Sequence, residues 1–137
     1  MVVSWRRDGL GFVRLRDGSR PAVLQTEALA PAAAERKIYV NFDVDSFRPG
    51  CGLAFELVDA AGRVLPGYSA SECVECTEPG LAQPVRWQAH GGIGREVREP
   101  VELRIVFRTN GDLTPYQSQC SSPMLYCLYI ADEGETP

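Results

Sequence analysis

Apolar and polar side chains alternate with a period of two along several short stretches of this chain. In the clearest stretch, 101–108, single and mostly polar residues separate Val101, Leu103, Ile105 and Phe107. Because successive side chains of a β-strand point to opposite faces of a sheet, this pattern predicts a strand with one buried face. Seven further stretches bring the prediction to about eight strands: 11–16, 22–26, 36–44, 52–59, 63–65, 84–88 and 125–130.

Glycine and proline lie mostly between these apolar stretches. The chain has 13 Gly and 10 Pro in 137 residues, and both residue types are common in the turns that connect strands. The one helical hint is the alanine-rich stretch 27–37. We therefore predict a single all-β domain, 1–137. Its expected architecture is a two-sheet antiparallel β-sandwich of the jelly-roll or concanavalin-like type, with about eight or more strands and little helix.

The charge balance and the hydropathy argue against two classes of partner. With 14 Lys and Arg against 18 Asp and Glu the formal net charge is -4, whereas nucleic-acid binding requires a basic surface that neutralises phosphates. No apolar run approaches the roughly 18 residues of a membrane-spanning helix, and the first residues lack the apolar middle of a signal peptide. We expect neither nucleic acid nor a membrane as partner, and the localisation stays open.

Five cysteines raise the question of disulfides, free thiols and metal ligands. The disulfide or thiol candidates are Cys73 and Cys76, which form a CxxC in an acidic loop, together with Cys120 and Cys127. An odd total leaves at least one cysteine unpaired within the chain. A zinc site made of Cys73, Cys76, the only histidine (His90) and one further cysteine stays open as an alternative, because zinc needs about four such ligands.

Six short motifs occur in an order that matches a known family. They are RDGLGFVRL at 7–15, KIYVN at 37–41, LVDAAGRVLPGYS at 57–69, PVRW at 84–87, PVELRIVF at 100–107 and LYCLYI at 125–130. Together they resemble the C-terminal β-sandwich domain that accompanies five-bladed β-propeller sugar hydrolases of the glycoside hydrolase family 32 type and related sialidase-like proteins. The chain departs from this family in an insertion at 109–124 and in the cysteine-bearing loop SECVECTEPG at 71–80.

The resemblance implies a non-catalytic accessory domain. In the resembled proteins the catalytic carboxylates lie on the propeller, so we expect no enzyme activity from this chain. The resemblance also implies that the domain belongs to a larger protein, packs on a neighbouring catalytic domain and contacts carbohydrate. The alternative is a module for protein interaction or self-association, through sheet edges or the cysteine-bearing insertion, without a carbohydrate role.

Two groups of residues are candidates for ligand contact. Sugar rings stack on exposed aromatic planes, which makes Trp5, Tyr116 and Tyr68 the candidates for a carbohydrate contact. Hard cations prefer clustered oxygen ligands, so Asn41, Asp43 and Asp45 are the candidates for a structural calcium ion, and we expect no other cofactor. We assign no catalytic residues, because GYSAS at 67–71 lacks the second glycine of a nucleophile elbow and HGGIG at 90–94 is predicted to be a turn or hairpin.

Overall fold

The computed structural model describes residues 11–15, 22–44, 51–108, 123–132, 134–135 and 137. All regular secondary structure in these residues is β-structure, which confirms the predicted class. The strands are β1 (Ala22–Gln25), β2 (Arg36–Asp43), β3 (Gly52–Val58), β4 (Gly80–Val85), β5 (Glu102–Arg108) and β6 (Met124–Asp132). None of the described residues forms a helix long and apolar enough to cross a membrane.

The six strands form two antiparallel sheets of three strands each. One sheet has the order β1-β5-β3 and the other has the order β4-β2-β6. In the first sheet Phe55 of β3 lies opposite Ile105 of β5, and in the second Ile38 of β2 lies opposite Ile130 of β6. The two long alternating stretches of the sequence are therefore the central strands, β5 and β2.

Both sheets contribute to one apolar core. The buried faces of β2, β3 and β5 meet in a single cluster that contains Val40, Phe42, Phe55, Leu103 and Ile105, all nearly inaccessible to solvent. Burying side chains of this size stabilises a fold by roughly 1.5–3 kcal/mol each. The alternation predicted for β5, with Leu103, Ile105 and Phe107 inward, is confirmed.

The prediction of about eight or more strands is wrong for the described residues. Two of the predicted stretches are reduced to single bridges, from Val13 to Leu125 and from Val64 to Val58. The helical hint at 27–37 is also wrong, because Leu29 instead continues the pairing along the first sheet through a bridge to Val101. Alanine has the highest helix propensity, but propensity is a weak determinant of structure, and tertiary pairing overrides it here.

Two strands depart from the simple alternation. In β2 the neighbours Asn41 and Phe42 are both fully buried, and the pairing register with β6 shifts between them. The strand predicted at 84–88 instead ends at Val85 and begins at Gly80. Pro84 is tolerated in β4 because an edge strand leaves one side of its backbone without a sheet partner.

The free edge of β3 is closed by residues that follow it in the chain. Its alternate backbone groups pair with that segment rather than with another strand of the sheet. The backbone N–H groups of Leu53 and Cys76 each donate to the carbonyl oxygen of the other residue (3.0 and 2.9 Å). Phe55 N–H donates to Cys73 Sγ (3.3 Å), and Phe55 O accepts from Trp87 Nε1–H (3.0 Å). Leu57 N–H donates to Tyr68 O (3.0 Å), and Leu57 O accepts from Leu65 N–H (2.9 Å). Closing an edge in this way removes a template for pairing with other chains.

Candidate functional site

Tyr68 is carried into the core by the hairpin that closes the β3 edge. Asp59 starts this hairpin, since its carboxylate accepts hydrogen bonds from the backbone N–H groups of Ala61 and Arg63 (both 2.9 Å). Gly67 then takes a positive φ of 83°, a conformation that favours glycine. The Tyr68 ring that follows is only 2% exposed and meets Trp87 edge to face, with 5.0 Å between the ring centroids.

The Tyr68 hydroxyl holds the segment 94–96 in place. It donates a hydrogen bond to the Glu96 carboxylate and accepts one from the Gly94 N–H (3.0 Å). The His90 ring stacks on the Tyr68 ring with 4.3 Å between centroids, and His90 Nδ1 lies 3.4 Å from Glu96 Oε1. Residues that are up to 28 positions apart thus form one cluster of Tyr68, His90 and Glu96.

The protonation states in this cluster are set by the same contacts. The hydrogen bond from Tyr68 lowers the pKa of the Glu96 carboxyl, with help from its own backbone N–H, so Glu96 stays ionised at neutral pH. Burial, followed by the bond to Glu96, raises the pKa of Tyr68, which keeps the phenol neutral. The cluster therefore offers a fixed negative charge and hydrogen-bond acceptor at the surface.

Three glycines leave room for this arrangement. A Cβ at Gly94 would overlap the Glu96 carboxylate, and a Cβ at Gly92 would overlap the Arg36 carbonyl oxygen. A Cβ at Gly67 would lie 2.9 Å from His90 Nε2, closer than real Cβ contacts. Glycine is therefore required at position 92, where the chain passes the backbone of β2, whereas at position 94 a side chain would displace the Glu96 carboxylate.

A polar cavity of about 340 Å³ opens beside this cluster. Its charged groups are the carboxylates of Glu35 and Glu96 and the guanidinium of Arg95, and Lys37 Nζ lies 2.8 Å from Glu35 at its margin. A second, mainly apolar cavity of about 430 Å³ is also lined by Glu96. The residues around the polar cavity are Glu35, Ala89, His90, Gly91, Gly92, Gly94, Arg95 and Glu96.

Of the three aromatic candidates for a carbohydrate contact, only Tyr68 lies among the described residues. Tyr68 is present but buried beneath His90, so its ring offers no open face to a sugar, and its role is to hold Glu96 and His90. Trp5 and Tyr116 lie outside the described residues. Glu96 and Glu35 were not among the residues singled out from the sequence, and the only local signal near them was the glycine-rich stretch at 90–94.

The candidate calcium ligands are placed only in part. Asn41 is fully buried and Asp43 is half-buried, with its carboxylate accepting a hydrogen bond from the Val44 N–H (2.9 Å), whereas Asp45 lies outside the described residues. Among the described residues no group of three or more His, Cys, Asp or Glu side chains could hold a metal ion. The calcium site therefore stays a prediction.

The described cysteines are free thiols. Cys51, Cys73, Cys76 and Cys127 are unpaired, and Cys120 lies outside the described residues. Burial raises the pKa of the Cys73 thiol and raises that of Cys76 to about 12. Because a thiolate is the reactive form of cysteine, these raised pKa values leave both CxxC thiols protonated and less reactive at neutral pH.

No family model, no curated protein and no solved structure matches this chain. The resemblance to the glycoside hydrolase family 32 accessory domain therefore stays a prediction that rests on the six sequence motifs.

Proposed function

We propose that this chain is a non-catalytic binding module that contacts carbohydrate at the polar cavity beside Glu96. The observation that carries the proposal is an ionised carboxylate, fixed by a buried tyrosine, at the wall of an open polar cavity. Sugar hydroxyls both donate and accept hydrogen bonds. The carboxylates of Glu35 and Glu96 supply acceptors, and the Arg95 guanidinium and the His90 ring supply donors.

The protonation states favour binding over hydrolysis. A glycosidase needs a carboxylic acid that remains protonated, and hence has a raised pKa, next to a second carboxylate. The pKa of Glu96 is instead lowered, and the neutral phenol of Tyr68 is buried and engaged. In the proposed arrangement, catalytic carboxylates belong to a neighbouring domain of the same protein, as the sequence resemblance implies.

The finer fold assignment belongs to the same proposal. We infer that the two sheets stack as a β-sandwich of the jelly-roll or concanavalin-like type. The single apolar core shared by β2 and β5, the central strands of the two sheets, supports this stacking. Nuclear Overhauser contacts between Val40 and Ile105 side chains would test it.

A glycan array combined with a glycosidase activity screen tests the proposed function. We expect at least one glycan to be retained without hydrolysis. The variant E96Q removes the charge but keeps the shape, and it should weaken binding by roughly tenfold or more, the size expected for a charged hydrogen bond. E27Q removes an exposed carboxylate away from the cavity and should bind as the parent chain does.

Three outcomes contradict the proposed function. Measurable hydrolysis of a glycoside would show that the chain is an enzyme. A full array without a retained glycan would remove the carbohydrate role. Equal loss of binding in E96Q and E27Q would place the site away from the Glu96 cavity.

The second candidate function is self-association without a carbohydrate role. The observation that favours it is β1, an edge strand with the exposed apolar residues Val23 and Leu24. In this alternative, β1 pairs with β1 of a second copy. Light scattering with and without reductant tests it, since a monomer in both conditions at high concentration contradicts both sheet-edge and cysteine-mediated assembly.

A further inference from the structure

The apolar cavity beside Glu96 has an open hydrocarbon wall. Val64, Leu65 and Pro66 of the hairpin form one side of it, and Val97 and Val101 form the other. Val64 is 40% exposed there, so the cavity presents apolar surface to solvent rather than hiding it. Exposed apolar surface in a concave site is what an apolar ligand group buries when it binds.

Five charged residues also line this cavity, and two of them, Asp59 and Arg63, neutralise each other; the others are Glu96, Arg98 and Glu99. The Asp59 carboxylate accepts hydrogen bonds from Arg63 Nε (2.8 Å) and from the Arg63 backbone N–H (2.9 Å). The Glu96 carboxylate accepts a hydrogen bond from the Tyr68 hydroxyl. The hydrocarbon wall of this cavity therefore suits an uncharged apolar group, whereas the neighbouring polar cavity suits hydroxyls.

The two cavities share a wall. The Glu96 side chain, 57% exposed, lines both of them, and its sequence neighbours Arg95 and Val97 line the polar and the apolar cavity respectively. A ligand that passes Glu96 would occupy both cavities at once. Continuity of this kind favours one amphipathic ligand over two unrelated ones.

We propose that the ligand is a glycoside with an apolar aglycone, an aryl or short alkyl group. Its sugar ring lies in the polar cavity near Glu96 and Glu35, and its aglycone lies against Val64 and Val97. This inference rests on the proposed function and specifies its ligand class. The apolar cavity adds affinity through removal of hydrocarbon surface from water, while the polar cavity selects the sugar.

Titration calorimetry with pairs of methyl and p-nitrophenyl glycosides of the same hexoses tests the inference on the full chain. For any hexose that binds, the aryl glycoside should bind about tenfold or more tightly than the methyl glycoside, given the apolar area of a phenyl ring. Val64→Ser should remove most of that gain. Val74→Ser alters a valine of similar exposure, 42%, outside both cavities and should keep it.

The outcomes separate this inference from the proposed function. Equal affinity for methyl and aryl glycosides overturns the inference and leaves the carbohydrate role intact. Absence of binding by both series, while the array retains a glycan, also overturns only the inference. An array without any retained glycan contradicts the proposed function, and the inference falls with it. If free p-nitrophenol binds as tightly as its glycosides, the apolar cavity is a separate site and the inference is overturned. The inference is also overturned if Val64 becomes buried in a contact between two copies of the chain at high protein concentration.

Discussion

Tyr68 connects the core of this protein to its surface. Its ring packs against Trp87 in the interior, while its hydroxyl reaches Glu96 at the edge of the polar cavity. A buried tyrosine hydroxyl needs a hydrogen-bond partner, and a carboxylate is a strong one. The contact that satisfies the core residue therefore also positions the surface carboxylate.

The lowered pKa of Glu96 predicts how stability depends on pH. Since the folded-state pKa lies below the ordinary value of 4.5, the contribution of this group is fully present above pH 4.5 and is lost as the pH falls through the folded value. We expect the urea midpoint to drop between pH 7 and pH 3, and to drop less in E96Q. At pH 7, E96Q should cost less than about 1 kcal/mol, because solvent screens a carboxylate that is more than half exposed.

E27Q is the control for this pH dependence and should behave as the parent chain does. In E96Q we still expect some decrease of the urea midpoint between pH 7 and pH 3, because other carboxyl groups contribute to it. The pKa values of Asp59 and Glu72 are also lowered, through hydrogen bonds from Arg63 and Ser69 respectively. An E96Q variant with the same difference between pH 7 and pH 3 as the parent chain would contradict the role assigned to Glu96.

At the scale of single residues, the sequence predicts the core residues better than the residues of the candidate site. Leu103, Ile105 and Phe107 follow from the period of two alone, because one face of a strand must be buried. The contact between Tyr68 and Glu96 does not follow, since 28 residues separate them and no local pattern reports which loop returns to the hairpin. The burial of Asn41 next to Phe42 does not follow from the period of two either, because adjacent residues of a strand point to opposite faces.

The closed edge of β3 is the most informative feature at the scale of the elements. Along this edge, Leu53 N–H and Leu57 N–H donate to the backbone carbonyls of Cys76 and Tyr68. Phe55 N–H, which lies between them in β3, donates to the Cys73 thiol instead of a carbonyl. This contact gives Cys73 a structural role at the edge of β3. It also explains why the segment that carries the cysteines stays against the sheet.

Cys73→Ala tests this contact. Removing the sulfur leaves Phe55 N–H without its acceptor, so its amide hydrogen exchange should accelerate by roughly tenfold, the value of about one weak hydrogen bond. Leu57 N–H, bonded to Tyr68 O, should keep its protection. Cys76→Ala is the matched control because Cys76 pairs with Leu53 through its backbone, and unchanged exchange at Phe55 in Cys73→Ala would contradict the contact.

The hairpin glycines allow a paired test. Gly67 and Gly62 both have positive φ, 83° and 77°, so alanine at either position should cost about 1 kcal/mol through backbone strain. Only at Gly67 does the new Cβ meet His90, at 2.9 Å, which adds about 1 kcal/mol or more of overpacking. Urea unfolding of Gly67→Ala and Gly62→Ala measures both, and equal losses would contradict the packing of His90 on the hairpin.

Element boundaries were predictable where alternation is strong and not where tertiary pairing decides. The stretches that became β2, β3 and β5 were placed to within two residues at each end. The stretch 84–88 was misplaced because Trp87 turns inward to donate to Phe55 O, outside the ladder of β4. The alanine-rich stretch 27–37 could not reveal that Leu29 pairs with Val101.

Over the whole molecule, the candidate site lies on loops that are anchored to both sheets. The hairpin is held by β3 through Leu57, and the glycine-rich loop is held by β2 through the pair of hydrogen bonds between Arg36 and Ile93 (3.0 and 2.8 Å). Binding residues on loops above a rigid scaffold are a common arrangement. Glu96 is the residue at which these two loops meet.

A two-dimensional ¹⁵N–¹H NMR titration with the glycan that the array retains most tightly tests this picture directly. We predict that the amide resonances of Gly91, Gly92, Gly94 and Glu96 shift in a saturable way, that the amides of β1 stay unchanged, and that the glycan is recovered uncleaved. Shifts confined to β1 or another remote surface, or a cleaved glycan, would contradict a non-catalytic carbohydrate site at the Glu96 cavity.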